Sequence, residues 1–261
     1  MNKLLVFIGL SLPGFVSATF AQTVTLDTYF NHETHKTKTG TERFHYLWND
    51  VKDSGFSIWG NIFKTNGFAL DTLGSAPTIV KLKRSAVYII VDPDTEKETV
   101  NPNYIQEKDA KQITQWVKAG GVLVLMANDS ANAELAHFNT LAGKFGLYFN
   151  NDLQNHVIDD KHFTYGASLS VDQFIFPSSP KMFLKDVCSI DINGPNAKGA
   201  IKSADGKLNI AVTVKYGKGV VFAVGDPWLY NEYVNGRLPA GYQNDVAAKE
   251  LTAWLKTQLK R

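Results

Sequence analysis

The sequence predicts an α/β fold: a mostly parallel sheet in a three-layer sandwich, with helices on both faces and added antiparallel strands. Two observations carry this. Val87–Val91 and Val122–Met126 are short, uninterrupted apolar runs, rich in Val and Ile, as expected of strands buried on both faces. Each stops abruptly in polar residues and is followed by a stretch with helical spacing, and a βαβα order implies right-handed crossovers in a parallel sheet.

The elements follow in chain order. Met1, Asn2 and Lys3 precede an apolar run at 4–12, a Pro13-Gly14 break and small residues ending in Ala21-Gln22. That pattern predicts a secretory signal peptide over residues 1–21, cleaved after Ala21 or alternatively after Ala18, and a single mature domain over 22–261. The run is about half of the ~20 apolar residues a membrane anchor needs. No cysteine follows it, so no lipid anchor is expected, and the predicted location is periplasmic.

Next, Phe56, Trp59, Ile62 and Phe63 form a helical stripe leading through Gly67 to a strand at 68–70, read as the first parallel strand. Residues 77–82 read as a short helix before Val87. After the strand at Val87–Val91, residues 105–119 carry Ile105, Ala110, Ile113, Trp116 and Val117 at helical spacing, and Gly120-Gly121 closes the helix. The strand at Val122–Met126 is followed by a helix at 132–145 with Leu135, Phe138, Leu141 and Ala142 on one face. Between 156 and 192 short alternating segments, punctuated by Gly166, Pro177 and Pro180, suggest antiparallel or irregular additions. Residues 208–215 and 220–224 flank Tyr216-Gly217-Lys218-Gly219 as a hairpin. A helix at 242–259 buries Val246, Leu251, Trp254 and Leu255.

Composition narrows the function classes. With 27 Lys and Arg against 25 Asp and Glu, the formal charge of +2 gives no argument for nucleic acid or an anionic membrane. The single cysteine, Cys188, permits no internal disulfide, and its apolar setting makes it a core residue. Aromatics make up 12% of the chain, enough to fill a core and leave some rings to line a binding face.

In an open α/β sheet, ligands bind beyond the carboxyl ends of the strands. That rule selects the loops at 92–98, 128–134 and 226–233, together with the N-terminal stretches 29–33 and 45–48, where aromatic and ionisable residues alternate. The spacing of Asp92, Asp94, Glu96 and Glu98 invites a calcium reading. It lacks the glycine and the distal Glu of an EF-hand loop, and capping of turns and helix starts is the preferred reading, so no metal and no cofactor is expected. Among the histidines, His45 in its aromatic string and His32 are candidates for proton transfer. His35 is a weaker one, and His137, His156 and His162 read as structural or solvent-facing. No G-x-S-x-G, G-x-G-x-x-G, P-loop or H-E-x-x-H motif is present.

Three blocks carry a resemblance. The segments 88–98, 116–129 and 222–233 resemble a domain of unknown function with a class I glutamine-amidotransferase-like, flavodoxin-like fold, which in Bacteroidetes often follows a family 105 unsaturated uronyl hydrolase. Where such a fold would place a nucleophilic Cys, this chain has Met126-Ala127-Asn128, which disfavours cysteine-based hydrolysis. A free-standing version is similar to the oligosaccharide dehydratase of ulvan utilisation. The resemblance implies a hydro-lyase that removes water from a non-reducing-end glucuronic or iduronic acid, leaving a 4,5-unsaturated end for a partner uronyl hydrolase. It implies an anionic oligosaccharide substrate and no cofactor.

Elimination needs a base for H5 and an acid for the departing 4-hydroxyl. On loop position and chemistry, His45 is the expected base or acid and Tyr230 or Tyr233 its counterpart, with His32 a further catalytic candidate. Asn128 and Arg237 would hold the carboxylate, Trp228 and Trp48 would stack on sugar faces, and Asp92, Asp226 and Asn231 would line the site. The rival reading is a non-catalytic carbohydrate-binding accessory protein using the same loops.

Overall fold

A computed structural model describes residues 22–159 and 161–259. The export signal expected at 1–21 lies outside them. The strands are β1 Gln22–Asp27, β2 Thr34–Lys36, β3 Thr41–Arg43, β4 Phe68–Leu73, β5 Val87–Val91, β6 Val122–Met126, β7 Leu147–Phe149, β8 Ala167–Ser170, β9 Lys181–Phe183, β10 Ile190–Ile192, β11 Ala197–Ser203, β12 Asn209–Tyr216 and β13 Gly219–Val224. The helices are α1 Ser57–Thr65, α2 Ile79–Leu82, α3 Glu107–Lys118, α4 Leu135–Ala142 and α5 Asn244–Gln258.

Nine strands form one sheet in the order β4-β1-β5-β6-β13-β12-β11-β8-β9. From β4 to β13 every neighbouring pair is parallel. From β13 to β9 every pair is antiparallel. The sheet is therefore mixed in equal halves, which overturns the expected mostly parallel, flavodoxin-like and amidotransferase-like sandwich. Part of the reason lies in the segments at 156–192 read as additions, and part in β11, which the sequence reading did not pick out. Strands β8, β9 and β11 join the main sheet through β12, whose Ile210, Ala211, Val212, Thr213 and Val214 are all buried. Short connections make the β11–β12 and β12–β13 pairings antiparallel, and local alternation cannot show which sheet a strand enters. The expected first strand, β4, is an edge strand, and β1 lies between it and β5.

Side-chain alternation divides the core into two halves. Val87, Ile89 and Val91 of β5 join Val122, Val124 and Met126 of β6 and pack with Trp59, Ile62 and Phe63 of α1 and Leu251 and Leu255 of α5. Tyr88, Ile90, Leu123 and Leu125 pack with Ala110, Ile113 and Trp116 of α3 and Phe138 and Leu141 of α4. At about 1.5–3 kcal/mol for each fully buried large apolar side chain, this two-sided burial fixes the height at which the strands end. Cys188 is buried and free, its thiol pushed well up by burial. It lies beside Gly225 at the end of β13, where a Cβ would overlap the Cys188 carbonyl. Among the described residues no helix is long and apolar enough to cross a membrane.

Candidate functional site

The parallel half presents the carboxyl ends of β1, β5, β6 and β13 along one edge, and the loops leaving them converge there. The loop after β1 is shaped by Asp27, whose Oδ1 accepts from the backbone N–H groups of Tyr29 and Phe30 at 3.0 and 2.7 Å while Oδ2 accepts from the Tyr88 hydroxyl. Burial raises this carboxyl to about 6 against those hydrogen bonds. The Arg43 guanidinium donates to the carbonyls of Thr28 and Asn31, fastening the small β2–β3 hairpin to the same loop. Asn31 Nδ2 then donates to the Asp92 carbonyl at 2.7 Å, tying the loop to the end of β5.

At the centre stands a pair not selected from the sequence as a pair. Tyr46 donates its hydroxyl hydrogen to Asp92 Oδ2 at 2.7 Å, and the Trp228 indole is a further hydrogen-bonding neighbour of that hydroxyl. Asn128 Nδ2 reaches the same carboxyl oxygen at 3.5 Å, while Asp92 Oδ1 is buried with no partner. Burial holds the Asp92 carboxyl well above the usual carboxylate range, and Glu98 and Glu33 add to the rise against the Tyr46 hydrogen bond. Burial and the Asp92 charge likewise hold the Tyr46 hydroxyl well above 10. Tyr46 therefore keeps its proton near neutrality, and the Asp92 carboxyl is shifted toward its protonated form.

His45 precedes Tyr46 and pairs with Glu33, Nδ1 to Oε1 at 2.8 Å. With the carboxylate accepting, Nδ1 carries the hydrogen and Nε2 keeps its lone pair. Glu33 is 7% exposed and the His45 ring 36%, so the imidazole is anchored from inside and reachable from outside. His45, Tyr46 and Asp92 all have left-handed backbone, with φ of 66, 52 and 44°. Non-glycine residues hold that conformation at a cost of about 1–3 kcal/mol each, and only where the surroundings enforce it. Here the Glu33 and Asp92 hydrogen bonds do so, with the Tyr46 N–H donating to the Ser54 carbonyl at 3.1 Å.

His32 stands alongside, its Nδ1 3.1 Å from Asp94 Oδ2, an oxygen that also accepts from the His32 N–H and the Thr99 hydroxyl. Burial raises the carboxyls of Asp94 and Glu98. Glu98 Oε2 caps the Thr95 N–H and hydroxyl, and Glu96 accepts from Tyr104 at 3.1 Å, so these carboxylates serve turns. Among the described residues no group of three or more His, Cys, Asp or Glu side chains is placed to hold a metal ion.

The loop after β13 supplies the other wall. Asp226 is fully buried, Oδ1 accepting from the Trp228 N–H at 2.6 Å and Oδ2 from the Lys185 N–H at 2.9 Å. Burial outweighs both hydrogen bonds and raises this carboxyl to about 8. Asp226 thus shapes the loop from beneath. Asn231 is also buried, its Oδ1 accepting from the N–H groups of Tyr233 and Val234. Glu232 accepts from the Ser57 hydroxyl and the Ile58 N–H at the start of α1, and the Tyr233 N–H donates to the Asp53 carbonyl at 2.6 Å, which seats the loop on the turn that carries His45 and Tyr46. The Trp228 and Tyr233 rings lie 4.3 Å apart, with the Lys185 ammonium 4.8 and 5.1 Å from their centres and the Arg237 guanidinium 4.2 Å from that of Tyr233.

The structure thus brings together His45, His32, Asp92, Asn128, Trp228, Tyr233 and Arg237 of the residues expected from the sequence. It places Asp226 and Asn231 beneath the loop. It does not bring in Tyr230, whose hydroxyl donates to Asn235 at 2.9 Å in a depression beside Asp245 at the start of α5. Nor does it bring in Trp48, whose indole donates to the Asp71 carbonyl of β4 while its ring packs on Trp59 and Phe63.

Three residues were missed. Glu33 and Tyr46 sit in the two alternating stretches already singled out, and the pairing of His45 with Glu33 follows only from the hairpin between them. Lys185 has no local signal, because it reaches the site from the antiparallel half. An open concavity of about 570 Å³ lies elsewhere, against α5 and β12. Its ionisable side chains are Lys198 and Lys215, and Lys198 is paired with Asp172.

No family model and no curated protein sequence matches the chain. Among solved structures it is similar to the mmIFT52 N-terminal domain, at 14% identity and a TM-score of 0.66 over 90% of this chain and 98% of that one. It is also similar to the cytoplasmic protein STM3548 from Salmonella typhimurium, at 13% identity and a TM-score of 0.57 over 90% and 98%. A β-galactosidase from Rahnella sp. R3 matches 90% of this chain with 31% of its own, at 12% identity and a TM-score of 0.55. At such identities the likeness is one of fold alone: a mixed, strand-rich sheet rather than the mostly parallel sandwich expected from the sequence.

Proposed function

We propose that the protein is an oligosaccharide dehydratase, a hydro-lyase that eliminates water across C4 and C5 of a non-reducing-end uronic acid of ulvan-type oligosaccharides. One observation carries the reading. A histidine oriented through Nδ1 by Glu33 adjoins a tyrosine that holds its proton and a buried carboxyl shifted toward its protonated form, so a base and an acid face one edge of the sheet. The three blocks that carry the resemblance to the domain found with uronyl hydrolases lie along β5, β6 and β13 and end in this cluster, which adds support.

In this reading His45 Nε2 takes H5, whose electron pair forms the C4–C5 double bond. The C4–O bond breaks, and the departing oxygen takes a proton from the Tyr46–Asp92 pair and leaves as water. Residues 1–21 export the chain to the periplasm, where an unsaturated uronyl hydrolase consumes the product. Asn128 positions Asp92 rather than gripping the substrate.

The test is incubation of the purified protein with lyase-generated oligosaccharides ending in a saturated uronic acid. Growth of enol-uronate absorbance with loss of one water by mass supports the proposal. Binding without either change replaces it by the accessory carbohydrate-binding reading, which the rings of Trp228 and Tyr233 equally suit.

A further inference from the structure

We infer that Lys185 forms a subsite for the acid group of an anionic sugar ring lying against Trp228 and Tyr233. This rests on the sugar-ligand reading above and deepens it. Lys185 follows β9, in the antiparallel half of the sheet, and its position is fixed from both sides. Its own N–H is held by Asp226 Oδ2, and the preceding Leu184 N–H donates to the Gly166 carbonyl at 2.8 Å. Its ammonium is then set beside two aromatic rings, on the wall whose Trp228 touches Tyr46.

The Lys185 ammonium forms an ion pair with Asp186 Oδ2 at 3.6 Å, a separation too long for a hydrogen bond, so its N–H donors are not taken up by that oxygen. The other oxygen of Asp186 is taken by His156 Nδ1 at 2.8 Å and the Val157 N–H at 3.2 Å. Asp226, the other acid beside Lys185, keeps its proton to about pH 8 and supplies little countercharge near neutrality. Aromatic faces favour a cation without neutralising it. A carboxylate brought to the Lys185 ammonium would accept those donors, and a pyranose stacked on the rings delivers one. In a uronic acid the carboxylate is attached to C5, so the same cation draws charge away from C5 and acidifies H5.

The experiment compares a disaccharide with a non-reducing glucuronic acid and its methyl ester, titrated into wild type and Lys185→Met by following tryptophan fluorescence and calorimetry. The wild type is expected to bind the acid at least about tenfold more tightly than the ester. Lys185→Met, which keeps the apolar stem, should bind both alike, and Lys185→Arg should restore part of the preference. Equal binding of acid and ester by the wild type, no binding of either, or an undiminished preference in Lys185→Met overturns the subsite. Acid-selective binding that depends on Lys185, with no unsaturated product, removes the dehydratase reading and leaves the subsite standing. Turnover with an undiminished preference in Lys185→Met does the reverse.

Discussion

Tyr46 and Asp92, forty-six residues apart, share one hydrogen bond of 2.7 Å, and each holds a left-handed backbone to make it. The bond joins the turn before α1 to the end of β5, so it is at once a structural clasp and a store of protons. Tyr46→Phe should therefore act on both counts. Stability should fall by about 1–3 kcal/mol, because Asp92 loses a hydrogen-bond donor in a buried setting. Dehydration should fall by about 100-fold or more, the scale of positioned acid catalysis. Urea unfolding and the rate of enol-uronate formation check the two effects separately.

Glu33 acts in this proton chemistry as a positioning residue for His45, and its charge also adds to the rise of the Asp92 carboxyl. Glu33→Gln still offers an oxygen to Nδ1 but removes the charge that would stabilise the imidazolium. The turnover rate should drop by about 10- to 100-fold with KM nearly unchanged, while His45→Ala should abolish turnover. A KM effect larger than the kcat effect would place His45 in binding rather than proton transfer.

Asp226 makes stability depend on pH. Its folded value of about 8 lies above the ordinary 3.8, so between these values the native state holds a proton that the unfolded chain has released. Stability from this group is complete below about pH 4 and is lost as pH rises toward 8, at up to about 1.4 kcal/mol per unit. Asp27, at about 6, acts in the same direction over the lower part of that window. Urea midpoints should fall between about pH 6 and pH 8, and Asp226→Asn should flatten that fall. A wild type equally stable across that interval would show that Asp226 is ionised in the native state.

Gly225 closes β13 against the Cys188 carbonyl, where a Cβ has no room. Gly225→Ala should cost roughly 2–4 kcal/mol, since backbone rather than a flexible side chain must move. The damage should reach the Asp226–Lys185 contact one residue on. Thermal unfolding measures the cost, and loss of acid-over-ester preference in the surviving folded protein reports the displaced wall.

Much of this architecture is legible in the sequence where burial writes it locally. The apolar runs of β5 and β6 mark strands buried on both faces. The β12–β13 hairpin is announced by Tyr216-Gly217-Lys218-Gly219, and the loops after β5, β6 and β13 are located by the polar residues that end each run. Strand β1 escapes because its alternation is short and follows closely on the apolar run at 4–12. Strands β8 and β9 are visible as alternation and β11 is not read at all, and in neither case is membership in the main sheet legible. That difference turns a mostly parallel expectation into a mixed sheet.

The site divides along the same line. His45, Asp92, Trp228 and Tyr233 are placed by chain position alone, because each stands in a loop whose strand or aromatic string identifies it. Tyr230 and Trp48 have the same chemistry in the same segments, but their hydroxyl and indole turn to Asn235 and Asp71. The sequence by itself determined the strand ends, the uncharged balance and the aromatic supply, since these depend on composition and period. Only the tertiary structure decided that Glu33 orients His45, that Tyr46 rather than Tyr230 meets Asp92, and that Lys185 crosses from the antiparallel half. Those pairings depend on which distant backbone segments burial forces together, and no local pattern encodes a distance between strands.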